Sequence, residues 1–181
     1  MFQVKAIDGD TIRAVHCPTR FSCPELDKTS RSVARQTMSI RIYAVDCPEI
    51  QKRQSDPPSQ PYGDEAKEFT SSRLLGDKVK IKLLRKDQYG RAIAKVEYGR
   101  QMLPPFAKRD LSMELLNEGL ASIYTGGGAE YDGKKDEFER VQQRAKARHR
   151  GIWSLGDDMV SPAEFKRQQK QMKQATAGMA F

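Results

Sequence analysis

Ser39-Ile40-Arg41-Ile42-Tyr43-Ala44-Val45-Asp46-Cys47-Pro48-Glu49 decides how this chain is read. Ile40, Ile42 and Ala44 alternate with Arg41, Tyr43 and Val45, the period of two that marks a β-strand. Pro48 has no amide proton to give a ladder, so the strand is expected to end there. Two carboxylates, Asp46 and Glu49, fall at that end, with Arg41 upstream on the same strand. Such a pair can hold a hard cation or divide between cation binding and base chemistry. The plainer alternative is a capped strand end with a solvated arginine.

Toward the N-terminus, Phe2, Val4 and Ala6 read as one strand and Thr11 to Val15 as another, joined by the tight connection Asp8-Gly9-Asp10. A polar stretch from Cys17 to Gln36 reads as a long loop before the central strand. Downstream, Gln51 to Pro61 is a polar, proline-rich loop beside the two carboxylates. A helix is expected from Gly63, with Ala66, Phe69, Thr70 and Leu74 on one face. Val79 to Leu83 and Ala92 to Tyr98 form a hairpin around Asp87-Gln88-Tyr89-Gly90-Arg91. A short helix over 110–118, a brief strand over 120–124 and a basic helix over 134–150 follow. Phe138, Val141 and Ala145 face inward on the last of these, and Trp153 packs back on the domain. The elements sum to an α+β chain: a five-stranded OB-fold Greek-key β-barrel with three packed helices, followed by a tail in which Ser161-Pro162 either opens an extra C-terminal helix or frays in solution. One domain over 1–156 and a basic C-terminal tail over 157–181 are expected.

Among 181 residues, a formal net charge of +8 fits an acidic partner such as nucleic acid. No apolar run approaches a membrane span, and no signal-peptide pattern stands at the start. A strand beginning at Phe2 leaves no lead-in, which fits a chain trimmed of an upstream segment such as an anchor. Three cysteines, Cys17, Cys23 and Cys47, are an odd number and imply no closed disulfide framework. Free thiols at Cys17 and Cys23 are the expectation, which suits a reducing, intracellular compartment. A pair between them, or a metal shared with His16, is the alternative.

The motifs together resemble the staphylococcal nuclease (thermonuclease) family, with details closer to its eukaryotic members. The resemblance rests on Ala6 to Thr11, Ile40-Arg41 through Glu49, Tyr62-Gly63 with Glu65-Ala66, Asp87 to Arg91, Glu118 to Ala121 and Gly151-Ile152-Trp153, all in family order. It implies a calcium-dependent nuclease on an OB barrel, acting on DNA and RNA and preferring single strands. Cleavage at the 5′ O–P bond, leaving 3′-phosphates, and a monomeric state are the matching expectations. By motif, Asp10 and Asp46 match calcium ligands, and Cys47 stands where a residue lends its backbone carbonyl to the metal. Threonine is common at that position, but a main-chain ligand survives the change. Arg41, Glu49 and Arg91 match the catalytic trio, and Asp8 a supporting acid behind the metal ligands. Tyr89 matches a residue near the bound phosphate, while Gln88 stands where lysine is usual, which weakens one phosphate contact.

A second function fits the same pattern: a nuclease-like barrel that binds nucleic acid or protein without cutting. The joint presence of Asp10, Arg41, Asp46, Glu49 and Arg91 favours catalysis over that alternative.

Overall fold

The computed structural model describes residues 2–18, 35–51, 53–54, 56, 58–74, 79–99 and 108–178. In chain order they form β1 (Phe2–Ala6), β2 (Thr11–His16), β3 (Met38–Ile42), β4 (Val45–Asp46), α1 (Gly63–Leu74), β5 (Lys80–Lys86) and β6 (Ala92–Tyr98). Then come β7 (Arg109–Asp110), α2 (Leu111–Asn117), β8 (Ser122–Ile123), α3 (Lys135–Ala147), a 3-10 helix (Gly151–Asp158) and α4 (Pro162–Gly178).

Five strands make the barrel in the order β1-β2-β3-β6-β5. Neighbours are antiparallel except β3 and β6, which run parallel with Arg41 opposite Ile93. The ring closes where Phe2 and Val79 exchange two main-chain hydrogen bonds of 3.0 Å. Closure removes the free edges that an open sheet would present. The five-stranded OB barrel expected from the strand pattern is therefore present, with β4, β7 and β8 as short additions. Ile12, Ile40, Ile42, Val79, Ala94 and Val96 fill its interior. Leu111, Leu115 and Leu116 of α2 and Phe138 of α3 extend that core on one side. Asp110 caps α2, its side chain accepting from the Ser112 amide at 3.0 Å.

The central strand departs from its sequence reading. It breaks at Tyr43-Ala44, four residues before Pro48, where Ala44 takes a φ of +62°. Tertiary hydrogen bonds dictate the break. The Tyr43 amide donates to the Ala94 carbonyl (3.1 Å), and the Tyr43 carbonyl accepts from the Ser112 hydroxyl (2.9 Å). The buried Tyr43 ring packs edge-on against Phe138, and its hydroxyl donates to Asp110. The Ala44 carbonyl then accepts from the Tyr124 amide (2.9 Å), and β4 pairs with β8 instead of continuing in the barrel sheet.

The expected loop over 17–36 lies mostly outside the described residues, Cys23 included. Cys17 is disulfide-bonded, which corrects the expectation of a free thiol there. An odd count argues against a closed framework, but one bond beside one free cysteine satisfies it equally. Cys47 is that free cysteine, and it is buried.

Candidate active site

Asp10 ends the β1–β2 connection, and three contacts hold it there. Its carbonyl accepts from the Ile42 amide (2.8 Å), which ties the connection to β3. The buried Thr70 hydroxyl of α1 donates to the Gly9 carbonyl (2.8 Å). Gly9 itself lies so close to Cys47 and Ala66 that a Cβ would sit 2.7–2.9 Å from their side chains. Asp10 is thus pressed against the segment that carries Asp46.

Both carboxylates are buried, Asp10 at 6% and Asp46 at 3% exposure. Between them stands Arg41, its Nη2 at 2.7 Å from Asp46 Oδ1 and 3.3 Å from Asp10 Oδ2. The same nitrogen donates to the Val45 carbonyl (3.3 Å), and the guanidinium lies 4.9 Å from the centre of the Tyr124 ring. Asp10 also accepts from the Thr11 hydroxyl at 3.0 Å and from the Cys47 amide at 3.4 Å. Burial pushes the Asp10 carboxyl up to about 7; Arg41 opposes the rise, and the neighbouring Asp8 and Asp46 charges add to it. Burial works against the charged form of Arg41 too, but Asp10 and Asp46 outweigh it and hold the guanidinium protonated. Burial pushes the Cys47 thiol well up, and the surrounding carboxylates push it further, so this sulfur is no nucleophile.

Glu49 follows Pro48 on a braced loop. Its amide donates to Gln60 Oε1 (2.9 Å), and its carbonyl accepts from the Gln60 amide (2.8 Å). Gln60 is buried, and its Nε2 reaches on to the Val160 carbonyl (3.2 Å). Gly63 passes directly under the loop: a Cβ there would lie 2.8 Å from the Glu49 carbonyl oxygen.

Arg91 is held differently. Asp87 accepts from the Arg91 amide and from its Nε, both at 2.8 Å, and from the Tyr89 amide at 2.9 Å. Burial alone would raise the Asp87 carboxyl, but these hydrogen bonds and the Arg91 charge carry it below the usual carboxylate range. Arg91 therefore stands in its own ion pair, apart from the Asp10–Arg41–Asp46 group. Register sets it two residues before Ile93, the partner of Arg41 across the parallel β3–β6 pair. Tyr89 is 76% exposed, with Arg91 5.6 Å from its ring centre, and Gln88 is exposed beside it.

One residue at the centre was not expected there. Lys166 of α4 reaches Asp46 Oδ1 and Glu49 Oε1, each at 2.9 Å. In the sequence it reads only as one of several basic residues of the tail. Gln60 was missed for a similar reason, since its partners lie 11 and 100 positions away. The available signal for Lys166 is its helical spacing from Pro162, Phe165 and Gln169, a stripe that faces the domain.

The family model described as staphylococcal nuclease homologue matches residues 39–155, from β3 through the 3-10 helix. The chain belongs to the staphylococcal nuclease family. The endonuclease Htp3 of Saprolegnia parasitica is 38% identical over 163 residues, which covers 90% of this chain and 73% of that protein. The probable endonuclease LCL3 of Clavispora lusitaniae is 34% identical over 167 residues, covering 89% and 69%. The probable endonuclease LCL3 of Zygosaccharomyces rouxii is 40% identical over a shorter span of 132 residues, 72% of this chain and 45% of that protein. The family match takes in Arg41, Asp46, Glu49 and Arg91, and the two longer matches cover most of the chain. Among the described residues no helix is long and apolar enough to cross a membrane.

Proposed function

We propose that this member of the staphylococcal nuclease family is a calcium-dependent endonuclease that hydrolyses phosphodiester bonds of DNA and RNA. The observation that carries the reading is Arg41 between Asp10 and Asp46, two buried carboxylates aimed at one point beside Glu49. So much buried negative charge is costly unless cations compensate it.

Calcium fits these donors by their chemistry. Asp10 and Asp46 offer hard oxygens, and the carbonyl of Cys47 adds a third; the soft, protonated Cys47 sulfur takes no part. Among the described residues no group of three or more aspartate, glutamate, histidine or cysteine side chains that could hold a metal ion is present, so side-chain donors here are limited to the two carboxylates. Two carboxylates and a carbonyl leave most positions on a cation to water and substrate, as a catalytic rather than a structural site requires. When bound, the cation neutralises phosphate charge and polarises phosphorus.

The chain's own residues do the rest. Glu49 takes a proton from the attacking water. Arg41 and Arg91 donate forked hydrogen bonds to phosphate oxygens that gain charge in the transition state. Asp87 fixes the direction of the Arg91 fork, and Asp8 adds negative charge behind Asp10. Tyr89 and Gln88, exposed beside Arg91, would contact the strand. Contacts to phosphate carry little sequence information, so broad use of single-stranded DNA and RNA is expected, with 3′-phosphate products.

Cleavage of single-stranded DNA and RNA tests the reading, measured with calcium, with EDTA, and with Glu49→Gln. Cutting that needs calcium and falls by about 100-fold or more in Glu49→Gln supports it. A folded protein that binds the strands and never cuts them overturns it. That outcome would favour the binding-module reading, which has one observation of its own: the Lys166 ammonium on Asp46 and Glu49.

A further inference from the structure

Over residues 162–170 helix α4 touches the domain along a single stripe. Pro162 is buried, Phe165, Lys166 and Gln169 are half-buried, and Ala163, Glu164, Arg167, Gln168 and Lys170 are exposed. The spacing is that of an amphipathic helix lying on a surface, and its middle position would ordinarily be apolar. Here it is a lysine, with an ammonium inserted between Asp46 Oδ1 and Glu49 Oε1 at 2.9 Å from each. Asp46 Oδ1 thus accepts from two cations, Lys166 and Arg41.

The helix is tethered at its start, beside a small gap. Gln60 holds the Val160 carbonyl, and the Ser161 hydroxyl accepts from the Glu164 amide (3.2 Å), which caps the first turn. Under that turn, Pro48, Pro61, Ile152, Leu155 and Phe165 enclose a gap of about 100 Å³. A C-terminal helix held on one half-buried stripe can lift without unfolding the barrel.

We infer that α4 is an autoinhibitory strap, with Lys166 occupying the acidic centre in place of a divalent cation. The inference rests on the proposed roles of Asp10, Asp46 and Glu49. An ammonium and a calcium ion cannot share Asp46 without strong repulsion at short range. Docked, Lys166 also engages the Glu49 carboxylate that would receive the proton from water. Cation binding and strap docking therefore exclude each other, and the strap sets the calcium concentration at which the site fills.

The test is a calorimetric titration of the full chain with calcium alone, on wild type, Lys166→Met and Asp46→Asn. Lys166→Met keeps the aliphatic stem on the docking stripe and removes the charge. Calcium affinity about 10-fold tighter or more in Lys166→Met is expected. Amide hydrogen exchange over 163–170 is expected to rise when calcium is added to wild type, and to start high in Lys166→Met. An affinity within two-fold of wild type, with exchange indifferent to calcium, overturns the strap. The reading beneath it has its own signature: if calcium fails to bind, or binds equally well to Asp46→Asn, the metal site itself is wrong. Calcium that needs Asp46 but ignores Lys166 sinks the strap alone.

Discussion

Asp10 shows how one side chain is kept at a cost to the fold. It is buried beside Asp46, under the added charge of Asp8, with Arg41 as its cation. Asparagine could keep the same bonds: its oxygen would accept from Arg41 and Cys47, and its nitrogen would donate to the Thr11 hydroxyl. Asp10→Asn is therefore expected to stabilise the cation-free protein by about 1 kcal/mol at neutral pH while abolishing calcium binding. Thermal melts and calcium titrations read the two effects, and a fall in stability would mean the buried charge is fully compensated. Arg41→Lys is expected to lose most activity, because an ammonium cannot span Asp10, Asp46 and a phosphate as a planar fork does. Turnover near wild type would remove Arg41 from the chemistry. Asp87 carries a pH signature. Its carboxyl is lower in the folded than in the unfolded chain, so its stabilisation is whole above the unfolded value and fades as pH falls through the folded one. The stability gap between wild type and Asp87→Asn should be flat above about pH 5 and close below it. Asp10, Arg41 and Asp46, which the structure brings together, stand out in the sequence as charged residues at strand ends and turns, whereas the ion pair that holds Arg91 to Asp87 leaves it apart from them. Gln60 and Lys166 do not stand out, because their roles exist only through partners far along the chain.

At the scale of elements, the site depends on where the central strand fails. A strand running unbroken through Val45 would keep Asp46 in the barrel sheet. The left-handed turn at Ala44 passes the chain to β8, and Asp46 arrives against Asp10. The alternation of residues 39–45 hid this, because Tyr43 and Ala44 obey a strand's pattern while bonding to Ala94, Ser112 and Tyr124. Gly9 is the counterpart from the other side. Gly9→Ala would drive a methyl into Cys47 and Ala66 and is expected to cost about 1–3 kcal/mol in denaturant melts. Calcium affinity should fall with it, since the displaced backbone carries Asp10. A neutral Gly9→Ala would show that the Asp10 turn has slack.

For the molecule as a whole, the alternating strands and the helix positions announced an OB barrel. Its closure through Phe2 and Val79 was not readable, since one pair of main-chain bonds leaves no mark on composition. With a formal charge of +8, the proposed nucleic-acid binding is expected to weaken strongly with salt. Affinity for single strands should fall with a log–log slope of about −0.7 for each phosphate engaged. A flat salt profile would argue against phosphate-directed binding.

Two of the segments that carry the family resemblance, Glu118-Gly119-Leu120-Ala121 and Gly151-Ile152-Trp153, lie far apart in sequence but are halves of one crossing. A Cβ on Gly119 would fall 2.1 Å from the Arg150 carbonyl oxygen, and one on Gly151 would fall 2.2 Å from that of Gly119. Both glycines take positive φ, +68° and +51°, and the Ile152 amide donates to the Gly119 carbonyl at 2.9 Å. A side chain at either position meets main chain, which no second substitution can trim away. In a saturation library the two columns would empty together, as intolerant as Asp10 or Arg41. Their intolerance would survive a screen for folding alone, whereas that of Asp10 would vanish.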